Sequence, residues 1–413
     1  MTSNLLPKSM KAVGLYTNLP IADAESLLNL EVPLPILRST DVLVEVKAIS
    51  VNGIDTKQRS KPVPPTFELP RILGSDGAGI IVAKGEKCKY FNVGDEVFFI
   101  ADLRRNGPNA QYVAIDEILV GLKPKNITFE EAASIPWTGV TAYESLYDRL
   151  LISNMDKGKT LLIINSGGGV GSVASQLAKN LGLKVIGTAA RAETEAFSLQ
   201  HGADIVLNHT KDLLPQLKAQ GYTNGVDFIL VNYNPNPYWD SLMAVAKPQG
   251  RICFLCDSSG LVDIKPLKEK SLTLVAEMMA TRMKYNTKDK YRYREILEDI
   301  SKMLETGKLK STLTKTMSPI NAENLKEAHR LIEDKKSIGK ILFCYSGRKA
   351  HVLIGAVGNV VKVLYAYRLA RKLNIADKNP RTDCSFTKID DKTSSYLVIL
   401  ESTDILIVLR IKN

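Results

Sequence analysis

A glycine-rich stretch constrains the fold more than any other part of the chain. Residues 163–178 are IINSGGGVGSVASQLA, in which an apolar run passes directly into clustered glycines and then into a helical pattern. Glycine costs roughly 1 kcal/mol relative to alanine within a regular element, so its use here needs a compensating role. A helix N-terminus presents unpaired N–H groups and binds phosphates well. The stretch therefore predicts a strand–loop–helix unit that binds the phosphates of a dinucleotide.

The loop approximates the dinucleotide-binding pattern G-x-G-x-x-G. Ser166 stands at the first position of that pattern, and Gly168 and Gly171 stand at the second and third. Gly168 allows the backbone to approach a pyrophosphate, and Gly171 allows close packing of helix on strand. Serine fits if that turn does not require a positive φ. We predict cofactor contacts at Ser166, Gly168, Gly169, Val170 and Gly171, because a flexible surface loop explains neither flanking element.

The end of the next strand bears on which dinucleotide is bound. The stretch VIGTAARAETE has no carboxylate at the strand tip, where NAD-binding folds hold the ribose 2′-hydroxyl. Arg191 stands beside that tip, and its planar guanidinium suits a phosphate. This pattern favours NADPH over NADH. The alternative is that Arg191 is a solvated residue at the start of a helix.

The predicted secondary structure changes along the chain. Its 413 residues are enough for two or three domains, and the N-terminal part shows short strands such as DVLVEVKAISVN, AGIIVAKG and GDEVFFIA. Thr128, with Glu131 three residues later, predicts a capped helix start. Strands then alternate with amphipathic helices from TLLIIN to RICFLC, which predicts a parallel sheet covered by helices on both faces.

The last part of the chain, 348–413, differs from the rest and carries more than half of the +11 net charge. It shows an apolar strand, a basic helical pattern (360–373), a polar linker and one or two apolar strands. The remaining charge is dispersed, so we expect no nucleic-acid partner. No apolar run approaches the length of a membrane span, and no signal-peptide pattern is seen. We expect a cytoplasmic protein without a membrane partner.

Cysteine usage agrees with a reducing compartment. The five cysteines are scattered and odd in number. Cys253 and Cys256 form a CxxC at a strand end, for which redox chemistry or metal binding is one interpretation and buried strand thiols are the other.

Seven stretches in order carry a family resemblance: ISVNGIDTKQR, ILGSDGAGIIVAKG, VGDEVFF, SIPWTGVTAYESL, GGGVGSVASQLAK, GADIVLNH and SIGKILF. Together they resemble the medium-chain dehydrogenase/reductase superfamily over about residues 10–345. The likeness is greatest to its zinc-independent quinone oxidoreductase branch and to bacterial proteins called zinc-type alcohol dehydrogenase-like. The resemblance implies an α/β fold, with a GroES-like β domain plus a Rossmann doubly wound parallel-sheet domain, and a homodimer.

The resemblance also implies a domain map. A GroES-like catalytic domain occupies 10–137, a Rossmann NADP-binding domain 138–275, and a return to the catalytic domain 276–347. The C-terminal extension, 348–413, is α+β in pattern and of unknown fold.

The resemblance assigns further site residues. Asn52 and Asp55 match a VNxxD pattern that lines the nicotinamide cleft and are the expected catalytic pair, although Asp55 could simply fix a loop. Thr141 matches a residue beside the nicotinamide, or packs within a helix. His209 stands near the adenosine phosphate, where its protonated form would add positive charge, or is an ordinary surface histidine. Asn232 follows a strand near the cofactor.

The resemblance further implies chemistry without a metal. Zinc-dependent relatives carry a cysteine and the histidine of a GHE motif where this chain has Asn52 and Ser75, and Asp76 replaces the glutamate. Zinc favours about four N, S or carboxylate ligands. We therefore expect an NADPH-dependent reductase of a small-molecule quinone or enone. Two alternatives stay open: a cofactor-binding protein without important turnover, structural or RNA-associated, and a zinc-dependent alcohol dehydrogenase.

Overall fold

The computed structural model describes residues 6–60, 69–344, 384–390, 395–400 and 405–410. The chain divides into two compact units, Met1–Tyr345 and Ser346–Asn413. Within the described residues, no helix has both the length and the apolar character that crossing a membrane requires. The helical pattern at 360–373 lies outside the described residues.

The secondary structure of the first unit alternates between strand-rich and mixed segments. Its strands are β1 (Ser9–Leu15), β2 (Leu28–Pro33), β3 (Asp41–Val51), β4 (Arg71–Ile72), β5 (Asp76–Lys84), β6 (Glu96–Ile100), β7 (Tyr112–Asp116), β8 (Val120–Leu122), β9 (Thr160–Ile164), β10 (Lys184–Ala189), β11 (Ile205–Asn208), β12 (Val226–Val231), β13 (Ala246–Phe254), β14 (Thr273–Ala276), β15 (Leu313–Met317) and β16 (Lys340–Cys344). Its helices are α1 (Gly53–Arg59), α2 (Phe129–Ala133), α3 (Pro136–Tyr143), α4 (Gly169–Asn180), α5 (Ala192–Gln200), α6 (Leu213–Ala219), α7 (Trp239–Val245), α8 (Lys265–Glu269), α9 (Thr281–Lys284), α10 (Arg292–Glu305) and α11 (Ala322–Glu333).

A six-stranded parallel sheet forms the middle of this unit. Its strand order is β11-β10-β9-β12-β13-β14. The chain fills one half of the sheet from β9 to β11 and the other half from β12 to β14, so the order reverses between β9 and β12. Sheets of this kind bind ligands at the carboxyl ends of the strands beside such a reversal. The predicted doubly wound sheet is confirmed.

Strand β9 shows why both faces of this sheet are covered. All five of its residues are buried. Leu161 and Ile163 share a core with apolar residues of α4, whereas Leu162 and Ile164 share a second core with residues of α6 and α7. Successive strand residues face opposite sides of a sheet. The continuous apolar run therefore indicates a strand that is buried on both sides.

A mostly antiparallel sheet holds the N-terminal strands and also the last strands of the unit. Its order is β15-β16-β3-β5-β6-β8, with β7 also pairing with β3. Strand β16 pairs with β3 in antiparallel register, with Ile341 opposite Val51. The GroES-like and Rossmann parts of the predicted fold class are both present, while the domain boundaries given above stay predictions. A smaller sheet has the order β2-β1-β4.

The predicted helix start at Thr128 is confirmed. The Thr128 hydroxyl accepts a hydrogen bond from the backbone N–H of Glu131 at 3.1 Å, and the Glu131 carboxylate accepts one from the backbone N–H of Thr128 at 2.9 Å. Each side chain satisfies an N–H that the helix itself cannot pair. Helix α2 begins at the next residue.

The second unit contains an antiparallel sheet of order β17-β18-β19, formed by β17 (Cys384–Asp390), β18 (Ser395–Leu400) and β19 (Ile405–Arg410). The last two are the apolar strands that the sequence predicts. The first forms in a stretch that the sequence pattern assigns to a polar linker.

Candidate functional site

The glycine-rich loop joins β9 to α4 at the point where the strand order reverses. Its left-handed residue is Asn165, with a φ of 61°, so serine at position 166 needs no positive φ. Gly168 is the N-cap of α4 and has no side chain to cap the helix. The first N–H groups of α4 are therefore available to an anion, in the way that dinucleotide folds bind pyrophosphate.

The glycines of this loop have different roles. A Cβ on Gly171 would lie 2.5 Å from the carbonyl oxygen of Asn165 and 2.7 Å from the Cα of Ser166, so only glycine lets α4 begin against the strand end. A Cβ on Gly168 would lie 3.2 Å from Nδ2 of Asn165 and 3.5 Å from the carbonyl oxygen of the same residue, which is no severe overlap. A Cβ on Gly169 would lie 2.9 Å from the Cδ atom of Lys340. Gly171 thus serves packing, and Gly168 keeps the approach to the loop open.

Two other predicted loop residues take part in packing. The hydroxyl of Ser166 is buried, 2.8 Å from the hydroxyl of Ser198 and 3.2 Å from the carbonyl oxygen of Thr188. Val170 is half-buried against the main core. The side chain of Ser166 is therefore engaged inside the protein, and cofactor contacts of Ser166 and Val170 stay predictions.

Arg191 lies just past the carboxyl end of β10, as predicted, and is exposed. Its Nη1 and Nη2 atoms lie 3.4 Å and 3.2 Å from the carbonyl oxygens of Lys336 and Ser337. These contacts hold the guanidinium at the same edge of the sheet as the glycine loop. They involve uncharged acceptors, so the charge of Arg191 is left available to an anionic ligand.

His209 follows β11 at the same edge. Its Nδ1 atom lies 3.0 Å from the hydroxyl of Thr188, and its ring packs edge-on against Tyr238. Burial lowers the pKa of His209 below its ordinary value. Burial therefore favours the neutral form of His209 and opposes the positive charge that its protonated form would add.

Asn232 follows β12, directly across the strand reversal from the glycine loop. Its side-chain oxygen and nitrogen are both buried, and neither has a hydrogen-bond partner among the described residues. A buried polar group left unpaired costs about 1–3 kcal/mol. The Asn232 amide lies at the carboxyl ends of the parallel strands, where ligands bind. A polar cofactor bound there could supply the missing hydrogen-bond partners.

Asn52 and Asp55 belong to a buried group that we call the polar cluster: Asn52, Asp55, Ser75, Asp76 and Lys340. Asn52 is the N-cap of α1, and its backbone N–H donates to Oδ2 of Asp55 at 2.8 Å. Its side-chain Nδ2 donates to Ser75 at 2.9 Å and to Asp76 at 3.0 Å. The Ser75 hydroxyl donates to the Asp55 carboxyl at 3.0 Å. The structure therefore brings the two predicted catalytic residues together.

Lys340 connects the polar cluster to the glycine loop. Its Nζ atom donates to the backbone oxygen of Val51 at 3.0 Å and to the side-chain oxygen of Asn52. Its stem packs beside Gly169. The backbone N–H of Gly339 donates to the oxygen of Gly167 at 3.0 Å, so strand β16 begins against the loop. One side chain thus reaches from the loop to Asn52.

Burial perturbs all three ionisable groups of the polar cluster. It raises the pKa of Asp55 to about 7, and it also raises the pKa of Asp76. Burial lowers the pKa of Lys340, whereas the charges of Asp76 and Asp55 act in the opposite direction and favour the ammonium form. Asp76 also accepts from the backbone N–H of Trp137 at 3.0 Å. The Oδ1 atom of Asp55 is buried without a partner among the described residues.

Thr141 lies on α3, one turn after the Trp137 residue that bonds Asp76. Its hydroxyl donates to the backbone oxygen of Trp137 at 2.7 Å. Thr138, on the same helix, would meet a Cβ on Gly169 at 3.0 Å. Helix α3 is therefore in contact with both the polar cluster and the glycine loop, and Thr141 is placed near them.

Sequence analysis missed Lys340. Its partner Asn52 is 288 residues away in the chain, so no local pattern reveals the contact. One sequence feature could have indicated it: the lysine opens KILFC, a strand whose residues are all buried. A lysine is almost never fully buried without a partner.

Cys253 and Cys256 are both free thiols. Burial raises the pKa of Cys253 to about 12. A thiol with so high a pKa is a poor nucleophile and metal ligand at neutral pH. The structure therefore favours the interpretation of Cys253 as a buried strand thiol.

Comparison with known proteins agrees with this geometry. Residues 38–141 match the alcohol dehydrogenase GroES-like domain, and residues 169–299 match the zinc-binding dehydrogenase family. A zinc-type alcohol dehydrogenase-like protein of Staphylococcus epidermidis is 40% identical over 81% of this chain and 99% of its own length. A 2-methylene-furan-3-one reductase of Solanum lycopersicum is 29% identical over 83% of this chain and 80% of its own length. The structure of an Escherichia coli quinone oxidoreductase complexed with NADPH has a TM-score of 0.69 and 25% identity, covering 81% of this chain and 99% of that one.

The name of one matched family raises the question of zinc. The residues of the polar cluster do not fit that ion. The oxygen and nitrogen donors of the polar cluster are one amide, one hydroxyl and two carboxyl groups, with no imidazole or thiolate among them, and Lys340 brings a positive charge to the same place. No group of three or more His, Cys, Asp or Glu side chains within the described ranges could hold a metal ion.

Two alanine substitutions separate the packing and binding roles of the loop. We expect Gly171→Ala to lower the free energy of unfolding by about 3 kcal/mol, because its Cβ overlaps backbone atoms. We expect the free energy of unfolding of Gly168→Ala to stay within about 1 kcal/mol of that of the original chain. The added methyl group should nevertheless weaken dinucleotide binding, because it narrows the space through which a pyrophosphate approaches the loop backbone. Urea denaturation and fluorescence titration measure the two effects. Equal stability of the two variants would contradict this division.

Proposed function

The chain belongs to the medium-chain dehydrogenase/reductase superfamily of oxidoreductases, and from that premise we propose that it is an NADPH-dependent reductase. It transfers hydride to a quinone or to an α,β-unsaturated carbonyl compound without zinc. The observation that carries this proposal is the contact between the buried Lys340 side chain and Asn52, inside the polar cluster.

The contact between Lys340 and Asn52 affects which substrates can react, because it places a lysine rather than a metal ion in the polar cluster. Oxidation of an alcohol, or reduction of a simple carbonyl, gains from a metal ion that polarises the oxygen. Here a lysine supplies the local positive charge. Asn52 and Ser75 stand at the positions where, by sequence resemblance, zinc-dependent relatives carry cysteine and histidine ligands. Quinones and enones are already electron-poor, so they accept hydride without such a metal. The donor set therefore favours these acceptors.

The nicotinamide ring, when bound, supplies the hydride. The chain's own residues bind and orient the cofactor: the N-terminus of α4 holds the phosphates, and the unpaired amide of Asn232 contacts the cofactor. Thr141, together with Asn52 and Asp55, lines the cleft and excludes water. Reduction of an enone adds the hydride to carbon and a proton, from a hydroxyl or water, to complete the product.

The named relatives support this choice of substrates. The tomato relative is named a reductase of 2-methylene-furan-3-one, which is an enone, and the bacterial structural relative is a quinone oxidoreductase complexed with NADPH. Preference for NADPH in this chain is supported by the exposed guanidinium of Arg191 at the strand tip. The structure offers no carboxylate at that tip: Thr188, Ala189 and Ala190 precede the arginine.

The proposal includes a homodimer. Strand β14 lies at the end of the six-stranded sheet, with β13 as its neighbour among the described residues. Leu274 of this strand and Met278 just after it are 36% and 48% exposed. An edge strand with exposed apolar side chains favours pairing with another chain. A second copy of this chain, paired through β14, would cover both.

A substrate panel tests the proposed activity. We expect the purified protein to oxidise NADPH with quinones or enones and to show little activity with simple alcohols and NADP⁺, because no metal polarises the oxygen. Absorbance at the nicotinamide band follows the reaction. A protein that binds NADPH tightly but turns over no acceptor would instead be a cofactor-binding protein without turnover.

Substitution of Arg191 tests the cofactor preference. We expect Arg191→Ala to weaken NADPH binding by about 1.5–3 kcal/mol, because a charge-assisted contact to the 2′-phosphate is lost. The affinity for NADH should hardly change. Arg191→Lys is the matched control, since it keeps the charge but loses the planar fork and should show a smaller loss. Equal losses for NADPH and NADH would show that Arg191 does not contact the 2′-phosphate.

Metal analysis tests the absence of a catalytic zinc. We expect less than stoichiometric zinc in the purified protein, and full reductase activity after dialysis against a chelator, because the polar cluster has no imidazole or thiolate and already contains the Lys340 ammonium. Inductively coupled plasma mass spectrometry and the NADPH assay provide the measurements. One tightly bound zinc per chain, removed together with the activity, would overturn the proposal.

A further inference from the structure

We propose that Lys340 is a positioning residue that couples cofactor binding to the protonation of Asp55, so that the protein takes up a proton when NADPH binds. The inference rests on the proposed function, because NADPH is taken as the ligand of the glycine loop. It goes beyond the proposed activity, because a reductase can transfer hydride without any link between NADPH binding and the protonation of Asp55.

Lys340 spans the distance between the glycine loop and the polar cluster. Strand β16 begins against the glycine loop, where Gly339 and Gly168 form a bridge and the N–H of Gly339 donates to the oxygen of Gly167. The stem of Lys340 lies beside Gly169, the first residue of α4. Its Nζ atom reaches Asn52 and Val51 at the other end. No intervening side chain is needed to connect loop and polar cluster.

The buried charges around Asp55 are unequal in number. Asp76 on β5 and Lys340 on β16 are the charged groups that act on it. On the far side of α1, Arg59 is engaged with Glu333 and with His329 of α11. One ammonium thus faces two buried carboxyl groups. A single positive charge balances a single carboxylate, so the second carboxyl group favours a proton.

The hydrogen bonds identify which carboxyl group takes that proton. Asp76 accepts from Ser50, Asn52 and the backbone of Trp137, which stabilises it as the anion. Asp55 accepts two hydrogen bonds, both at Oδ2, while its Oδ1 atom is buried without a partner in the described part of the chain. A proton on Oδ1 of Asp55 displaces no existing hydrogen bond, because both donors bind Oδ2. Burial correspondingly raises the pKa of Asp55 to about 7.

The sign of the coupling follows from electrostatics. The pyrophosphate of a dinucleotide adds negative charge at the N-terminus of α4, beside the residue that Lys340 contacts. Negative charge nearby raises the pKa of a carboxyl group, so Asp55 binds protons more strongly in the complex. Near pH 7 about half of the molecules have Asp55 ionised before binding, and uptake of up to about half a proton is therefore available. The uptake decreases toward zero at more acidic and more alkaline pH.

Calorimetry on the full chain measures this uptake directly. NADPH is titrated at pH 6 to 9 in pairs of buffers that differ in ionisation enthalpy, for the original chain and for Asp55→Asn. We expect uptake near pH 7 in the original chain and a loss of about 0.3 to 0.5 proton in Asp55→Asn, which keeps the shape and removes the titrating group. The same comparison in a His209→Asn background is the matched control, because His209 is the titratable group that we predict near the adenosine phosphate. Replacement of Asp55 by Asn should remove the same number of protons in that background.

A second variant tests the role of Lys340 itself. In Lys340→Met the stem remains but the ammonium is lost, so the pKa of Asp55 rises further and the pH of maximal uptake should move upward by about one unit or more. A purely structural role of Lys340 would change affinity without moving this pH profile. Lys340→Arg keeps the charge and should keep the profile near pH 7.

The dependence of NADPH affinity on pH gives an independent check. Relative to Asp55→Asn, which removes the contribution of Asp55 but keeps that of the ligand's 2′-phosphate, the dissociation constant of the original chain should rise more steeply with pH through 7. Identical uptake in the original chain and Asp55→Asn, or an unmoved profile in a folded Lys340→Met, would overturn the coupling while leaving the reductase proposal in place. Absence of any NADPH binding would overturn both.

Discussion

The arrangement of this protein depends on one buried positive charge. The side chain of Lys340 lies where the antiparallel sheet, the glycine-rich loop and the start of α1 meet, and it faces the carboxyl groups of Asp55 and Asp76. Its ammonium is the positive charge that acts on these two buried carboxyl groups, so its removal would leave their negative charge without compensation. The same charge lies beside Asn52, which by sequence resemblance occupies the position of a cysteine ligand in zinc-dependent relatives. It thereby connects the stability of the polar cluster with the proposed choice of substrate.

Local patterns predicted much of the fold. The apolar run TLLII predicts β9, because a strand buried on both faces has a continuous run of apolar residues. The glycines after it predict the loop and the start of α4, because a helix packed against the strand end needs small residues there. The capping pair Thr128 and Glu131 is equally local. The parallel sheet with helices on both faces could be predicted as well, because strands alternate with amphipathic helices along this part of the chain.

The parts that sequence analysis did not predict arise from distant contacts or from the competing use of a side chain. Lys340 and Asn52 are 288 residues apart, so nothing near either residue indicates their hydrogen bond. Ser166 fits a cofactor pattern by position, yet its hydroxyl is engaged with Ser198. His209 stands at the expected strand end, and burial, which the sequence does not reveal, lowers its pKa. Strand β17 forms in a polar stretch, where cross-strand pairing with β18 outweighs weak local preference.

The most direct test of this account is a crystal structure of the full chain grown with NADP⁺ and with zinc present, with anomalous data collected at the zinc edge. The account predicts the pyrophosphate at the N-terminus of α4, the Nζ atom of Lys340 hydrogen-bonded to Asn52, and no anomalous peak within the polar cluster. A zinc ion bound among Asn52, Ser75 and Asp76, with the Lys340 side chain displaced, would contradict it.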